Sequence, residues 1–174
     1  GLRRPSGGRA WFPDRGPVRP QGPAASAARA SRPTRDASAI RFVIILDTNV
    51  ISELMRGAPD PRVIDWVDVQ PSESVWITSI TVLEARLGLA LLPAGRRRQG
   101  LELAFDALIA SDLAYRVLPF DSAAAEHAAV LAAKRHESGR QVDLRDTQIA
   151  GIALSRRASI ATRNVRHFAD LAVE

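Results

Sequence analysis

Three carboxylates in this chain occupy positions from which they could act together on a phosphodiester. Asp47 is the first polar residue after the apolar run 42–46, while Glu84 and Asp146 each lie near the start of a predicted helix. Carboxylates that converge on one point repel each other unless a cation neutralises them. Their hard oxygens suit Mg²⁺ or Mn²⁺. A metal ion held in this way activates water and stabilises phosphoryl oxygens, which is what phosphodiester hydrolysis needs.

Each acid except Asp47 also has a purely structural interpretation. Glu84 follows Thr81 by three residues, the spacing of a capping box at a helix start. Asp143 and Asp146 both suit the first turn of a helix, where the dipole favours negative charge. Asp47 has no obvious cap to make, because it ends a buried strand. Taken singly, both interpretations of Glu84 and Asp146 stay open; taken together with Asp47, the acids favour a shared metal site.

The elements that must position these acids alternate between strands and helices. Apolar runs predict four strands and a possible fifth, at residues 42–46, 74–78, 116–120, 159–162 and 171–173. Helical patterns and caps predict helices at residues 51–55, 61–69, 79–92, 96–110 and 122–137, and another opened by Asp143 or Asp146. Such alternation is typical of a parallel sheet with right-handed crossovers. Ligand sites in such sheets form beyond the carboxyl ends of the strands. Gly88, one turn after Glu84, predicts a close approach of another helix at that point.

Residues 1–42 differ in composition from the rest of the chain. They hold nine arginines and two aspartates, a net charge of +7, and six of the eleven prolines. The remaining residues carry a net charge of −2, so the overall +5 does not indicate a basic folded body. This composition predicts a disordered tail. It is interpreted either as a basic arm for RNA or, preferably, as a misassigned segment ahead of a start at Val43.

Length and composition limit the remaining possibilities. The 174 residues suffice for one domain with its own core. No apolar run approaches the roughly 18 residues of a membrane span, and no secretory leader is readable. The absence of cysteine excludes disulfides and thiolate zinc sites. These observations predict a cytoplasmic protein.

Four segments resemble, in order, those of the PIN-domain nucleases, and among them the VapC-type toxins of toxin–antitoxin pairs. The segments are LDTNVISEL, ITVLEARLG, DTQIAGIA and ATRNVRHF, spread over roughly residues 43–172. The resemblance implies a three-layer α/β fold in a domain of residues 43–174, with a central, mostly parallel sheet flanked by helices. It further implies an endoribonuclease that depends on Mg²⁺ or Mn²⁺, forms a homodimer and is silenced by a cognate antitoxin.

The same resemblance assigns the site. Asp47, Glu84 and Asp146 match the family's three main metal-binding acids. The family often has a fourth acid after Thr-Arg, where this chain has Asn164, a weaker neutral ligand. His167 stands where another acid is common and is expected at the surface or facing RNA. These departures leave the choice between one and two metal ions open.

Two other functions remain open at this point. A haloacid-dehalogenase-like phosphatase would use Asp47 as a covalent nucleophile. Such sites carry a second aspartate two residues later, where this chain has Asn49, which argues against it. A non-catalytic module would keep the fold only to dimerise and bind a partner. The missing fourth acid favours that module slightly, and the three retained acids oppose it.

Overall fold

The computed structural model describes residues 42–139 and 142–171. The tail predicted at residues 1–42 lies outside this range apart from Phe42, which is exposed. The possible fifth strand at residues 171–173 also lies outside it, apart from Leu171, which forms a bend rather than a strand.

A four-stranded parallel sheet forms the centre of the domain. Its order is β3-β2-β1-β4, and all three pairs of neighbouring strands are parallel. Ile45 at the middle of β1 lies beside Trp76 on one side and Ile160 on the other. The strands are β1 (Ile44–Leu46), β2 (Val75–Thr78), β3 (Val117–Leu118) and β4 (Ser159–Ala161). All four predicted strands within the described range are therefore confirmed, each somewhat shorter than expected.

Within the described part of the chain, six α helices connect or follow these strands. They are α1 (Thr48–Leu54), α2 (Pro61–Asp68), α3 (Ser79–Ala90), α4 (Arg96–Ala107), α5 (Ser122–Glu137) and α6 (Leu144–Arg156). A π turn, Leu108–Asp112, replaces the predicted end of α4. The first helix begins at Thr48, three residues before the predicted start, because Asp47 caps it. Short 3₁₀ segments lie before β2, at Ser72–Ser74, and after β4, at Val165–His167.

The sheet separates two hydrophobic cores. On one face, Leu46 packs with buried residues of α1, α2, α3 and α4, including Ile51, Val67 and Phe105. On the other face, Ile45 packs with α5 and α6. Because successive side chains of a strand point to opposite faces, β1 supplies both cores at once. The three-layer α/β architecture predicted above is thus confirmed. Among the described residues, no helix has the length and apolar character needed to cross a membrane.

The closest helix pair is α5 with α6, and a glycine makes it possible. A Cβ atom on Gly151 would lie 2.7 Å from the Ala128 Cβ and even closer to the Ala124 carbonyl oxygen. The prediction of close packing at Gly88 is wrong, because nothing lies within 4 Å of a Cβ built there. Small residues on both partners therefore set the approach of α5 to α6, while the α3 glycine faces open space.

We expect Gly151→Ala and Gly88→Ala to change stability in opposite directions. The added methyl group at Gly151 meets backbone atoms that cannot rotate away, and overpacking of this kind costs about 1–3 kcal/mol. At Gly88 the methyl group meets no neighbour, so lower unfolded-state entropy should stabilise the helix by about 0.5–1 kcal/mol. Urea unfolding of both variants measures the difference. Equal stability of Gly151→Ala and the parent chain would contradict the tight crossing.

Candidate active site

Asp47 is a buried carboxylate fixed by three hydrogen bonds at the carboxyl end of β1. Its Oδ1 accepts from the backbone N–H of Thr48 at 2.8 Å. Its Oδ2 accepts from Asn49 Nδ2 and from Thr162 Oγ1, both at 2.7 Å. The expectation that Asp47 has no cap to make is therefore wrong, since the strand turns directly into α1. Asp47 therefore both caps α1 and lines a cleft.

Burial is the main cause that raises the pKa of Asp47, because a desolvated carboxylate is less stable ionised. The hydrogen bonds from Thr162 and Thr48 act in the opposite direction. The negative charge of Asp146 raises the pKa further, which shows that the two acids sense each other across the cleft. The site thus concentrates negative charge where water is scarce.

Glu84 lies in the second turn of α3 and does not cap the helix. The cap is Thr78, whose hydroxyl accepts from the backbone N–H of Thr81 at 3.0 Å. The capping-box interpretation of Glu84 is therefore wrong. Its carboxylate instead accepts from Thr48 Oγ1 at 2.5 Å and lies 3.5 Å from Arg145 Nη1. Glu84 is held between α1 and α6 and faces the same cleft as Asp47.

Asp146 lies in the first turn of α6, as predicted. The cap of this helix is Asp143, whose Oδ1 accepts from the backbone N–H groups of Arg145 and Asp146 at 2.9 and 3.2 Å. Asp146 is thereby free of the capping role, and its Oδ2 contacts His167 Nδ1. Burial raises the pKa of Asp146, and the negative charges of Asp143 and Glu84 raise it further.

His167 and Asn164 occupy the side of the cleft next to Asp146. Asn164 Nδ2 lies 2.9 Å from His167 Nε2, so the amide and the imidazole are neighbours. The expectation that His167 lies at the surface is confirmed, since its side chain is 45% exposed, and its ring also contacts an acid of the cleft. Asn164 lines the same cleft, and its role as a weaker ligand stays a prediction.

A buried arginine fixes the segment that carries these two residues. Arg135 Nε and Nη2 donate to both oxygens of Asp170 at 2.8 and 2.9 Å, and Nη2 also donates to the carbonyl of His167. Its Nη1 donates to Thr147 Oγ1 at 2.8 Å, which ties the start of α6 to the same group. Arg135 was not among the functional residues predicted from the sequence. The signal was available, because Arg135 continues the buried face of α5 formed by Ala124, Ala128 and Leu131.

The three acids and their neighbours line one open cleft of about 560 Å³. Their chemistry suits a divalent cation, since they are oxygen ligands whose mutual repulsion a cation relieves. As placed, no three His, Cys, Asp or Glu side chains of residues 42–139 and 142–171 lie close enough together to hold an ion. Their oxygens are bonded to Thr48, Asn49, Arg145 and His167 instead. Residue types and charge therefore fit a cation, although the side chains as placed do not form a complete set of ligands.

Comparison with known proteins gives consistent matches. The model of the PIN domain matches residues 44–174. The VapC ribonuclease Y4jK of Sinorhizobium fredii is 41% identical over 126 residues, covering 72% of this chain and 90% of the relative. The toxin FitB of Neisseria gonorrhoeae is 38% identical over 133 residues, covering 75% of this chain and 96% of the relative.

Solved structures agree with these sequence matches. The structure of FitAB bound to the IR36 DNA fragment superposes with a TM-score of 0.68 at 38% identity, covering 76% of this chain and 94% of that chain. The crystal structure of DNA-bound VapBC from Salmonella typhimurium gives a TM-score of 0.61 at 26% identity, covering 76% and 94%.

The raised pKa of Asp47 predicts how its stability contribution depends on pH. Since the folded-state pKa lies above the ordinary value of 3.8, ionised Asp47 lowers stability, and this penalty develops as pH rises through 3.8 to the folded-state pKa. The stability of Asp47→Asn relative to the parent chain should therefore increase from pH 3.5 towards neutrality. Urea unfolding in metal-free buffer across this range measures the trend.

Asp60→Asn provides the control of opposite sign. Hydrogen bonds from Arg62 lower the pKa of Asp60 to about 2, so its contribution is present above 3.8 and is lost as pH falls towards 2. This variant should lose stability relative to the parent as pH rises from 2 to 4. A flat or falling trend for Asp47→Asn would contradict the assigned burial penalty.

Proposed function

The chain belongs to the PIN-domain family, and from this premise we propose that it is a metal-dependent endoribonuclease, the toxin of a toxin–antitoxin pair. Relatives named as a VapC ribonuclease and as a toxin support this assignment. The observation that carries it is the cleft in which Asp47, Glu84 and Asp146 meet although they belong to three different elements. The proposed cofactor is Mg²⁺ or Mn²⁺, and the place of action is the cytoplasm.

Each acid contributes from a different direction. Asp47 forms the fixed floor, because Asn49 and Thr162 hold its Oδ2. Glu84 and Asp146 extend from α3 and α6 and would turn from their present partners to hold the cation with Asp47. Asn164 adds a weaker oxygen. The bound ion supplies an activated water and stabilises the phosphoryl oxygens. No side chain of the cleft is needed as a nucleophile.

A cognate antitoxin is the proposed protein partner. The similar solved structures include the FitAB and VapBC assemblies bound to DNA. In this chain an open groove of about 980 Å³ runs between α1, α3 and α4 and shares Thr48, Ser52, Arg56 and Glu84 with the cleft. A partner lying in that groove would contact the acids directly. It would inhibit by blocking the cleft and by pairing with the charges of the acids.

We expect a homodimer at micromolar concentration. Leu83 and Leu87 on α3 and Leu91, its C-cap residue, follow each other at one-turn spacing, and all three are exposed. An exposed apolar stripe of this kind is typical of an interface between subunits. Sedimentation of Leu83→Lys should show a shift towards monomer, while Leu103→Lys on α4 should leave the parent's behaviour unchanged. A parent chain that sediments as a monomer throughout this range would contradict the dimer.

Cleavage of RNA tests the proposed activity. With total cellular RNA as probe, cleavage should require Mg²⁺ or Mn²⁺ and stop in EDTA. Asp47→Asn, Glu84→Gln and Asp146→Asn should each lower the rate by about 10²-fold or more, because electrostatic stabilisation carries most of such chemistry. Asp121→Asn removes the same charge from the cap of α5, outside the cleft, and should keep activity.

Several outcomes would decide against the nuclease. Cleavage that persists in EDTA, or acid variants that unfold at lower temperature yet still cleave RNA, would contradict the assigned site. A parent chain that dimerises and binds an antitoxin but cleaves no RNA would establish the non-catalytic module instead. Phosphate release from a phosphomonoester, abolished in Asp47→Asn, would revive the phosphatase.

A further inference from the structure

A second charged cluster, separate from the three acids, lies at the mouth of the cleft. Its centre is Glu53 on α1, which is only 4% exposed. The Glu53 carboxylate accepts from the backbone N–H of Asp60 at 3.0 Å and from two guanidinium groups. Arg56 Nη1 lies 3.1 Å from Glu53 Oε2, and Arg163 Nη1 lies 2.5 Å from the same oxygen. Glu53 is therefore fully bonded and is not available to a ligand.

The two arginines differ from Glu53 in that they face solvent. The side chains of Arg56 and Arg163 are 65% and 48% exposed, and both line the cleft that contains Asp47. Among the described residues, each guanidinium reaches Glu53 through Nη1 alone, so Nη2 and Nε of both arginines make no other side-chain hydrogen bond. One carboxylate shared by two guanidinium groups leaves a net positive charge at this rim.

Arg163 is also positioned relative to the cleft floor. Its backbone N–H donates to Asn49 Oδ1 at 3.0 Å, and Asn49 Nδ2 donates to Asp47 Oδ2 at 2.7 Å. The amide of Asn49 thus links the arginine and the central acid. A group bound by Arg163 is therefore held at a defined position relative to Asp47.

We propose that Arg56 and Arg163, held in place by Glu53, form a subsite that binds backbone phosphates of the RNA strand next to the bond that is cut. This inference rests on the proposed ribonuclease function. Guanidinium groups bind phosphate oxygens through paired N–H donors, and a pre-positioned fork loses little side-chain entropy on binding. Their positive charge at the rim also offsets the repulsion that the acids of the floor exert on a polyanion.

A purely structural role explains the cluster less well. The Asp60 N–H and one arginine would be enough to satisfy the Glu53 carboxylate. A second arginine that served only this purpose would gain most if it were buried with the acid, yet both guanidinium groups stand in solvent. Arg62, by comparison, forms an ordinary exposed pair with Asp60 outside the cleft and carries no excess charge.

The test measures binding of a 12-nucleotide single-stranded RNA by fluorescence anisotropy. All variants carry Asp47→Asn, so that the probe is bound in Mg²⁺ without being cut. Arg56→Gln and Arg163→Gln should each weaken binding at low salt about three- to tenfold. Each should also reduce the slope of log K against log salt by about 0.7, the value for one phosphate contact with a single strand. Arg163→Lys keeps the charge and should keep most of the slope.

Arg157→Gln is the matched control. It removes the same charge from an exposed residue just before β4, at the amino edge of the sheet and away from the cleft. It should leave both the affinity and the slope unchanged. Arg56→Gln, at the more exposed site, keeps the test decisive if Arg163→Gln does not fold.

Unchanged affinity and slope in both cleft variants, with RNA cleavage by the parent chain intact, would overturn the subsite and leave the ribonuclease standing. An equal loss of affinity and slope in Arg157→Gln would show that only the overall charge matters, and would also overturn the subsite. Loss of antitoxin binding with unchanged RNA binding would assign the arginines to the protein partner instead. A parent chain that neither binds nor cuts RNA would overturn both the subsite and the proposed function.

Discussion

The burial of negative charge at the carboxyl edge of the sheet is the constraint that shapes this domain. β1 is buried on both faces and ends in Asp47, so an ionised group lies where water is largely excluded. An isolated charge in such a place is costly, and it is tolerated here because three hydrogen-bond donors converge on it. The donors come from α1 and from the end of β4. The contact between α1 and the end of β4 therefore stabilises the ionised form of Asp47.

The charges around the cleft are arranged in two zones. Asp47, Glu84 and Asp146 form an acidic floor, while Arg56 and Arg163 form a basic rim anchored on Glu53. A cation is attracted to the floor and a phosphate to the rim. Under the proposed function the two zones serve one substrate, because a phosphodiester needs a metal ion at the bond that is cut and cationic contacts on the neighbouring phosphates.

Much of the fold and part of the site could be predicted from the sequence. Short apolar runs predicted the four strands, and capping residues helped to predict the helices, because these signals are local. The wrong predictions have both local and tertiary causes. Thr78 caps α3, where a capping box of Thr81 and Glu84 was expected. The space beside Gly88 is open because α4 lies across a groove from it. His167 lies at the surface as expected, but no local pattern shows that Arg135 holds its segment against α6.

The acids of the cleft all have hydrogen-bond partners within the protein. Among the described residues, no buried side-chain nitrogen or oxygen lacks a hydrogen-bond partner. Asp146 contacts His167, Glu84 accepts from Thr48, and Asp47 accepts three hydrogen bonds, only one of them on Oδ1. An imidazole at this position adds no negative charge, whereas a fourth acid there would increase the repulsion among the carboxylates. Under the proposed function, Glu84 and Asp146 would exchange existing partners for the cation.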